Sequence, residues 1–333
     1  MKAVILIVVA FSLFAGPAAA QTAPADVLKA VVEIRAKIPA RSPSADSLGS
    51  ERQGSGVLIS ARGYILTIGY LIRDAEQIEV TFSDGKRAPA VYVGYDFETG
   101  FGLARLEQPI KTPPLVLGRS SEVKQGDRLV IASSGGTQSV QPTRVVSRGE
   151  FAGYWEYVID DAIYVSPPHP NFGGAALVGR DGELLGIGSI YTQLAAPGVG
   201  SLPANMFVPI DLLKPILDQL ISRGQAARPA KPWLGLNAQD SYGHIIVTSI
   251  TLGGPAAAGG LERGDIVLMV NGGKIEGLGD FFRKVWASGP AGAEVKLTVL
   301  QGTQIRELLI RSGNRNDRPA PQPAERKDVV LLN

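Results

Sequence analysis

Apolar and polar positions alternate along most of the chain in runs too short for helices. The stretches Val57 to Ile59, Tyr64 to Thr67, Ile78 to Phe82, Ala90 to Val93, Leu103 to Leu106 and Arg128 to Ala132 are β-branched or alternating, each bounded by Gly, Asp, Ser or Pro. That pattern predicts short strands closed by tight turns. A second set follows at Thr143 to Ser147, Glu156 to Ile159, Ala175 to Val178 and Leu184 to Ile190. Closely spaced strands with few helical windows predict an all-β barrel or sandwich. Asp211 to Arg223 departs from the pattern: Leu212, Ile216, Leu217 and Leu220 share one helical face, with Asp211 near its start and Gly224 at its end. Pro215 fits this predicted helix only as part of the first turn.

An Ala/Pro/Arg-rich linker over 226–232 separates this first unit, 24–225, from a second unit over 233–313. In the second unit the strand Ile245 to Ile250, a helix from Leu278 to Ala287, and the strands Val295 to Leu300 and Ile305 to Ile310 predict a small α+β domain. Residues 314–333 are polar and Pro-rich up to Lys327 and then end in Val329-Val330-Leu331-Leu332-Asn333. This composition predicts a disordered tail with an apolar tip. At the other end, Met1-Lys2, an apolar run from Ala3 to Ala15 and Ala18-Ala19-Ala20 form a signal peptide over 1–20, cleaved near Ala20/Gln21. The run is shorter than the ~20 apolar residues that span a bilayer, and no second stretch is longer. Export, most naturally to a bacterial periplasm, is therefore expected.

Composition then removes several chemistries. The 333 residues contain no cysteine, which excludes a thiol nucleophile, a Cys-ligated zinc and any disulfide, and only two histidines. No metal or cofactor motif is present. Basic and acidic residues number 33 and 31 with no run of one sign, so nothing points to nucleic acid.

The motifs carry the rest. His169-Pro170-Asn171-Phe172-Gly173-Gly174-Ala175-Ala176-Leu177-Val178 resembles the nucleophile loop of HtrA-type, trypsin-like serine proteases, Gly-Asn-Ser-Gly-Gly-(Ala/Pro)-Leu-Val. Aligning on Leu-Val puts Gly173 at the nucleophile; counting from His169-Pro170 puts Phe172 there. Neither side chain can attack a carbonyl. Gly63-Tyr64-Ile65-Leu66-Thr67 resembles the family's segment ending in the catalytic histidine, a position held here by Tyr70. A phenol with an ordinary pKa near ~10 is a poor general base. Asp96 to Leu106 resembles the family's Asp-x-x-Thr-Asp segment with Gly100 in place of the orienting aspartate. The resemblance implies a trypsin-like double β-barrel of two six-stranded barrels, and the replacements imply a catalytically degenerate member. The alternative is an active serine endopeptidase using displaced residues. His169 is the one nearby base, but two prolines separate it from Ser166; it reads as a loop histidine, and His244 as a strand-end surface residue.

Trp233-Leu234-Gly235-Leu236, Gly254 to Leu261 and Gly264-Asp265-Ile266-Val267 resemble a bacterial PDZ domain. The fold class is thus mainly β, a double barrel followed by an α+β PDZ domain. By that resemblance, backbone amides of Leu234, Gly235 and Leu236 hold a terminal carboxylate while an extended peptide adds a strand. Leu278, Phe281 and Val285 recur at helical spacing and are the candidate groove residues, with Phe282 and Trp286 assigned to the core. The expected partners are protein or peptide C-termini or exposed apolar segments, and an active HtrA-type protease. The apolar tip of the tail is a candidate self-ligand, which the terminal Asn333 argues against. The family's trimers use aromatic residues near the mature N-terminus, and Gln21 to Ala40 has none; a monomer or weak oligomer is expected.

Overall fold

The computed structural model describes residues 24–108, 110–135, 139–196, 198 and 200–317. The expected leader lies outside the described residues, as does the tail beyond Asp317 with its proposed docking. The chain opens with helix α1 (Pro24–Ala30), strand β1 (Val31–Lys37) and helix α2 (Ala45–Leu48). Five strands follow: β2 (Glu51–Leu58), β3 (Tyr64–Ile68), β4 (Gln77–Thr81), β5 (Arg87–Tyr95) and β6 (Phe101–Leu106). With β1 they close into a barrel in the order β1-β2-β3-β6-β5-β4. Strand β1 went unpredicted, although Val32, Ile34 and Ala36 are buried in strict alternation with Glu33, Arg35 and Lys37.

A second closed barrel is built from β7 (Arg128–Ala132), β8 (Val140–Gly153), β9 (Tyr157–Ser166), β10 (Ala176–Val178), β11 (Leu184–Ala196) and β12 (Gly200–Pro209), in the order β10-β11-β12-β9-β8-β7. The strand expected from Glu156 begins one residue later, because Glu156 stands at the hairpin tip with φ 57. β12 was not expected either. Its Gly, Pro and Asn content hides a strand whose residues Ala204 to Val208 are buried.

The predicted Asp211–Arg223 helix is corrected. Ile210–Leu212 forms a 3-10 turn and helix α3 spans only Leu217–Arg223. Pro215 has no N–H and disfavours helical backbone at the residue before it, so α-helix starts only after it. Leu212, placed on the apolar face by periodicity, is instead 37% exposed. Gly224 ends α3 in the left-handed region, φ 74, its N–H bonded to Leu220 at 3.0 Å.

The remaining unit contains β13 (Pro232–Trp233), β14 (Leu236–Ser241), β15 (His244–Ile250), helix α4 (Pro255–Ala258), β16 (Ile266–Val270), β17 (Gly273–Lys274), helix α5 (Leu278–Trp286), β18 (Glu294–Gln301), β19 (Gln304–Arg311) and β20 (Gly313–Asn314). The main sheet runs β14-β15-β16-β18-β19, and β13 pairs with β20. Its core gathers Val247, Val267, Phe281, Phe282, Val295 and Leu297. His244 opens β15 and is exposed.

The linker is tied back to the first barrel. Arg228 pairs with Asp96 and, at 3.1 Å, with Glu98, while Lys231 reaches Glu98 at 2.8 Å and lies 4.4 Å over the Trp286 ring. No helix among the described residues is long and apolar enough to cross a membrane.

Candidate functional site

Three stretches distant in sequence meet between the barrels. Strand β3 delivers Tyr70 through a 3-10 turn, Gly69–Leu71. The turn is fixed from below by Arg52, whose guanidinium donates to the Tyr70 carbonyl at 2.7 Å and to the Arg73 carbonyl at 3.0 Å. Gly100 precedes β6, and its carbonyl accepts from Gly69 N–H at 2.7 Å. Asp96 shapes this corner by accepting the amide and hydroxyl of Thr99 at 2.9 and 2.7 Å. Gly173 lies in the loop before β10, and its carbonyl accepts from Ser55 N–H at 2.8 Å.

The geometry of the cleft is set by the phenol. The Tyr70 hydroxyl donates to the Ser189 carbonyl at 3.0 Å. A Cβ built on Gly173 would sit 2.9 Å from that hydroxyl oxygen, so the phenol fills the space a side chain at 173 would use. Burial pushes the Tyr70 pKa further above its ordinary value. The group is thus a neutral donor with its proton committed. Gly100 has φ +78, and a Cβ there would lie 3.1 Å from the Tyr157 hydroxyl, which itself donates to the Thr99 carbonyl at 2.7 Å. A carboxylate on residue 100 would need a backbone conformation that favours glycine and would crowd Tyr157.

His169 is buried, and burial lowers its pKa. Its backbone N–H donates to Asn205 Oδ1 at 2.6 Å, and its Nδ1 accepts the Asn171 amide at 3.0 Å. The ring proton of the neutral imidazole therefore sits on Nε2. The Asn171 amide lies two residues before Gly173, the spacing at which trypsin-like enzymes supply an oxyanion donor, and here it is turned toward His169. Sequence reasoning missed this use of Asn171. Phe172 is half-buried, and its carbonyl accepts from Ala175 N–H at 3.0 Å. The nearby Ser166 hydroxyl donates to the Pro203 carbonyl at 2.9 Å, away from the imidazole.

The second candidate site is the loop between β13 and β14. The amides of Leu234, Gly235 and Leu236 do converge on one carboxylate, and it belongs to this chain. Glu156 accepts from Leu234 at 3.0 Å, from Gly235 at 2.8 Å and from Leu236 at 3.2 Å. Two residues along β14, the Ala238 amide donates to the Tyr154 carbonyl at 2.9 Å. Phe281 and Val285 are fully buried in the domain core, and Leu278 and Val158 of β9 are half-buried against it. Arg315 holds the hairpin from the other side, donating to the Glu156 carbonyl at 3.0 Å and to the Trp155 carbonyl. Glu156 and Arg315 were not found from sequence. A glutamate in a hairpin turn reads as solvated, even between the aromatic residues Trp155 and Tyr157, and nothing local ties it to amides 78 to 80 residues away.

Among known proteins, the trypsin-like peptidase domain family matches residues 54–187 and the PDZ domain family residues 232–311. Serine protease PepD of Mycobacterium tuberculosis is 31% identical over 312 residues, 85% of this chain and 67% of its own. A probable periplasmic serine endoprotease, DegP-like, of Halomonas elongata is 29% identical over 297 residues, 83% of this chain. One of the same description from Pseudomonas fluorescens is 31% identical over 308 residues, 88% of this chain. The chain spans 60% and 61% of the length of these two relatives. The solved structure of the HtrA-type protease AlgW with a decapeptide is similar over 86% of this chain and 96% of its own, at 25% identity and a TM-score of 0.52. Two closed barrels whose turns meet where a triad would stand, followed by a PDZ sheet, agree with these matches: the chain belongs to the HtrA family of trypsin-like serine proteases with a C-terminal PDZ domain.

Proposed function

We propose that this protein is an exported HtrA-like pseudoprotease that binds peptide or protein ends through its PDZ domain, as a scaffold, chaperone or regulator in envelope protein quality control. The observation that carries the reading is Tyr70. Its hydroxyl is bonded to the Ser189 carbonyl and abuts Gly173, so the cleft holds a committed phenol where an imidazole and a serine would have to face each other. Acyl transfer needs a nucleophile within reach of a base whose pKa suits the working pH, and Tyr70, Gly100, Gly173 and Phe172 supply neither. The periplasmic names of the relatives support the location. The likeness to a protease solved with a decapeptide supports peptide binding, with Leu234, Gly235 and Leu236 as the carboxylate donors and the Leu278, Phe281 and Val285 side of α5 as the pocket wall.

A fluorophosphonate probe and casein hydrolysis on the purified protein test the loss of chemistry. We expect no labelling and no turnover. Labelling that disappears on substitution of a residue in this cleft would establish the rival reading, an active endopeptidase with displaced residues; turnover unaffected by such substitutions marks a contaminant. Co-purification with an active HtrA-type protease would identify the regulatory role.

A further inference from the structure

The hairpin joining β8 to β9 enters the PDZ groove as a ligand would. Its tip, Tyr154-Trp155-Glu156, is a three-residue loop whose last residue is left-handed, φ 57. Such loops favour glycine at that position, and a non-glycine residue there is strained by roughly 1 to 2 kcal/mol. Glutamate is held in this position by its side chain, which reaches three amides in succession. Convergent backbone amides are the arrangement with which a peptide-binding loop captures a terminal carboxylate, and main-chain bonding to the neighbouring strand is how an extended ligand is added to a sheet edge. Both occur together: a carboxylate on Leu234 to Leu236, and a carbonyl two residues earlier in the hairpin on Ala238, two residues later in β14.

The seat is fastened at its rim. Arg283 of α5 reaches Glu150 on β8 at 2.6 Å and Asp160 on β9. Gly279 of the same helix faces the Glu150 carboxylate so closely that a side chain there would displace it. Arg315 clamps the carbonyls of Trp155 and Glu156 from the segment after β20, and Val158 packs against the PDZ core.

We propose that Glu156 is an internal stand-in for a ligand's C-terminal carboxylate, so that the PDZ groove is self-occupied and opens only to an extended peptide with a free carboxyl end that displaces the hairpin. The proposal rests on the reading of this domain as a peptide binder and adds to it the competitor. A binder whose competent state is only fractionally populated has its apparent affinity reduced by that fraction. Removing the internal carboxylate therefore tightens external binding.

The test uses the full chain, the Glu156→Gly variant, which suits the left-handed backbone, and Arg283→Ala, which removes only rim pairs. Two readouts are followed: amide hydrogen exchange at Leu234 to Ala238, and binding of fluorescein-labelled Phe-Ala-Gly-Tyr-Trp-Ala with a free or an amidated carboxyl end. We expect exchange at these amides to accelerate in Glu156→Gly and the free-acid peptide to bind that variant about tenfold to hundredfold more tightly than the parent. Arg283→Ala should move both readouts the same way by about twofold to fivefold. Unchanged exchange in Glu156→Gly, or free-acid peptide that binds parent and variant measurably and equally well, overturns self-occupation. If exchange accelerates but neither acid nor amide peptide binds, self-occupation stands and the peptide-binding reading is what fails.

Discussion

Tyr70 and Gly173 should behave as one unit, and a double-mutant cycle measures how strongly. A methyl group on residue 173 would lie 2.9 Å from the Tyr70 hydroxyl oxygen, while the next nearest phenol atom is the Cζ at 3.8 Å, an ordinary contact. Gly173→Ala in the parent is thus an overpacking substitution, expected to destabilise by about 1 to 3 kcal/mol. Tyr70→Phe removes the bond to the Ser189 carbonyl, for about 1 kcal/mol. In the Tyr70→Phe background the clash is gone, so adding Gly173→Ala should cost little beyond that. Residue 173 is not among the positions with positive φ, and alanine even restricts the unfolded chain in its favour by about 0.4 to 1 kcal/mol. The double variant is then more stable than the sum of the singles by about 1 kcal/mol or more. Urea titration of the four proteins by tryptophan fluorescence gives the coupling directly, provided the slopes agree. Independent sites add to within roughly 0.3 to 0.5 kcal/mol. A coupling inside that band would refute the claim that the phenol occupies the space of a side chain at 173.

Other outcomes follow from the same contacts. Arg52→Lys should lower the urea midpoint by an amount equivalent to at least ~2 kcal/mol, because one ammonium cannot replace a fork that serves the carbonyls of Ser44, Gly49, Tyr70 and Arg73; an unchanged midpoint contradicts it. Burial holds the His169 pKa below 6.5, so the unfolded chain takes up a proton more readily than the native one. Its contribution is complete above that value and is lost as pH falls through it toward the depressed native pKa. His169→Gln should flatten the fall in melting temperature between pH 7 and pH 5, and identical slopes would exclude the effect. Light scattering at low micromolar concentration should find a monomer or weak oligomer, and a stable trimer counts against the inference from the aromatic-free segment Gln21 to Ala40.

Much of the fold was legible because strand edges in this chain are written in turn residues: Tyr64 to Ile68 and Arg128 to Ala132 emerge almost as read. Strand β1 was overlooked because its charged alternates, Glu33, Arg35 and Lys37, resemble a solvated segment until the barrel closes over Val32 and Ile34. Periodicity carried the helix back to Asp211 through Pro215, where backbone sterics overrule it. The degenerate cleft could be located from motifs spaced along the chain. That Tyr70 would bond Ser189, 119 residues away, could not. The occupied groove was the least legible feature. Its only local trace is a glutamate at a hairpin position that favours glycine.

Closed barrels have no strand edges, so the open edges of the described sheets are few. The main PDZ sheet has two, β14 and β19. Strand β19 has Arg306, Glu307 and Arg311 exposed along it, and charged side chains on an edge discourage the addition of a foreign strand. Strand β14 instead donates its Ala238 amide to the hairpin. An edge that relies on a removable cover is silent only while covered. In the proposed open state, β14 is left as an uncovered edge on which another chain's strand can pair, so displacement of the hairpin is expected to bring concentration-dependent self-association.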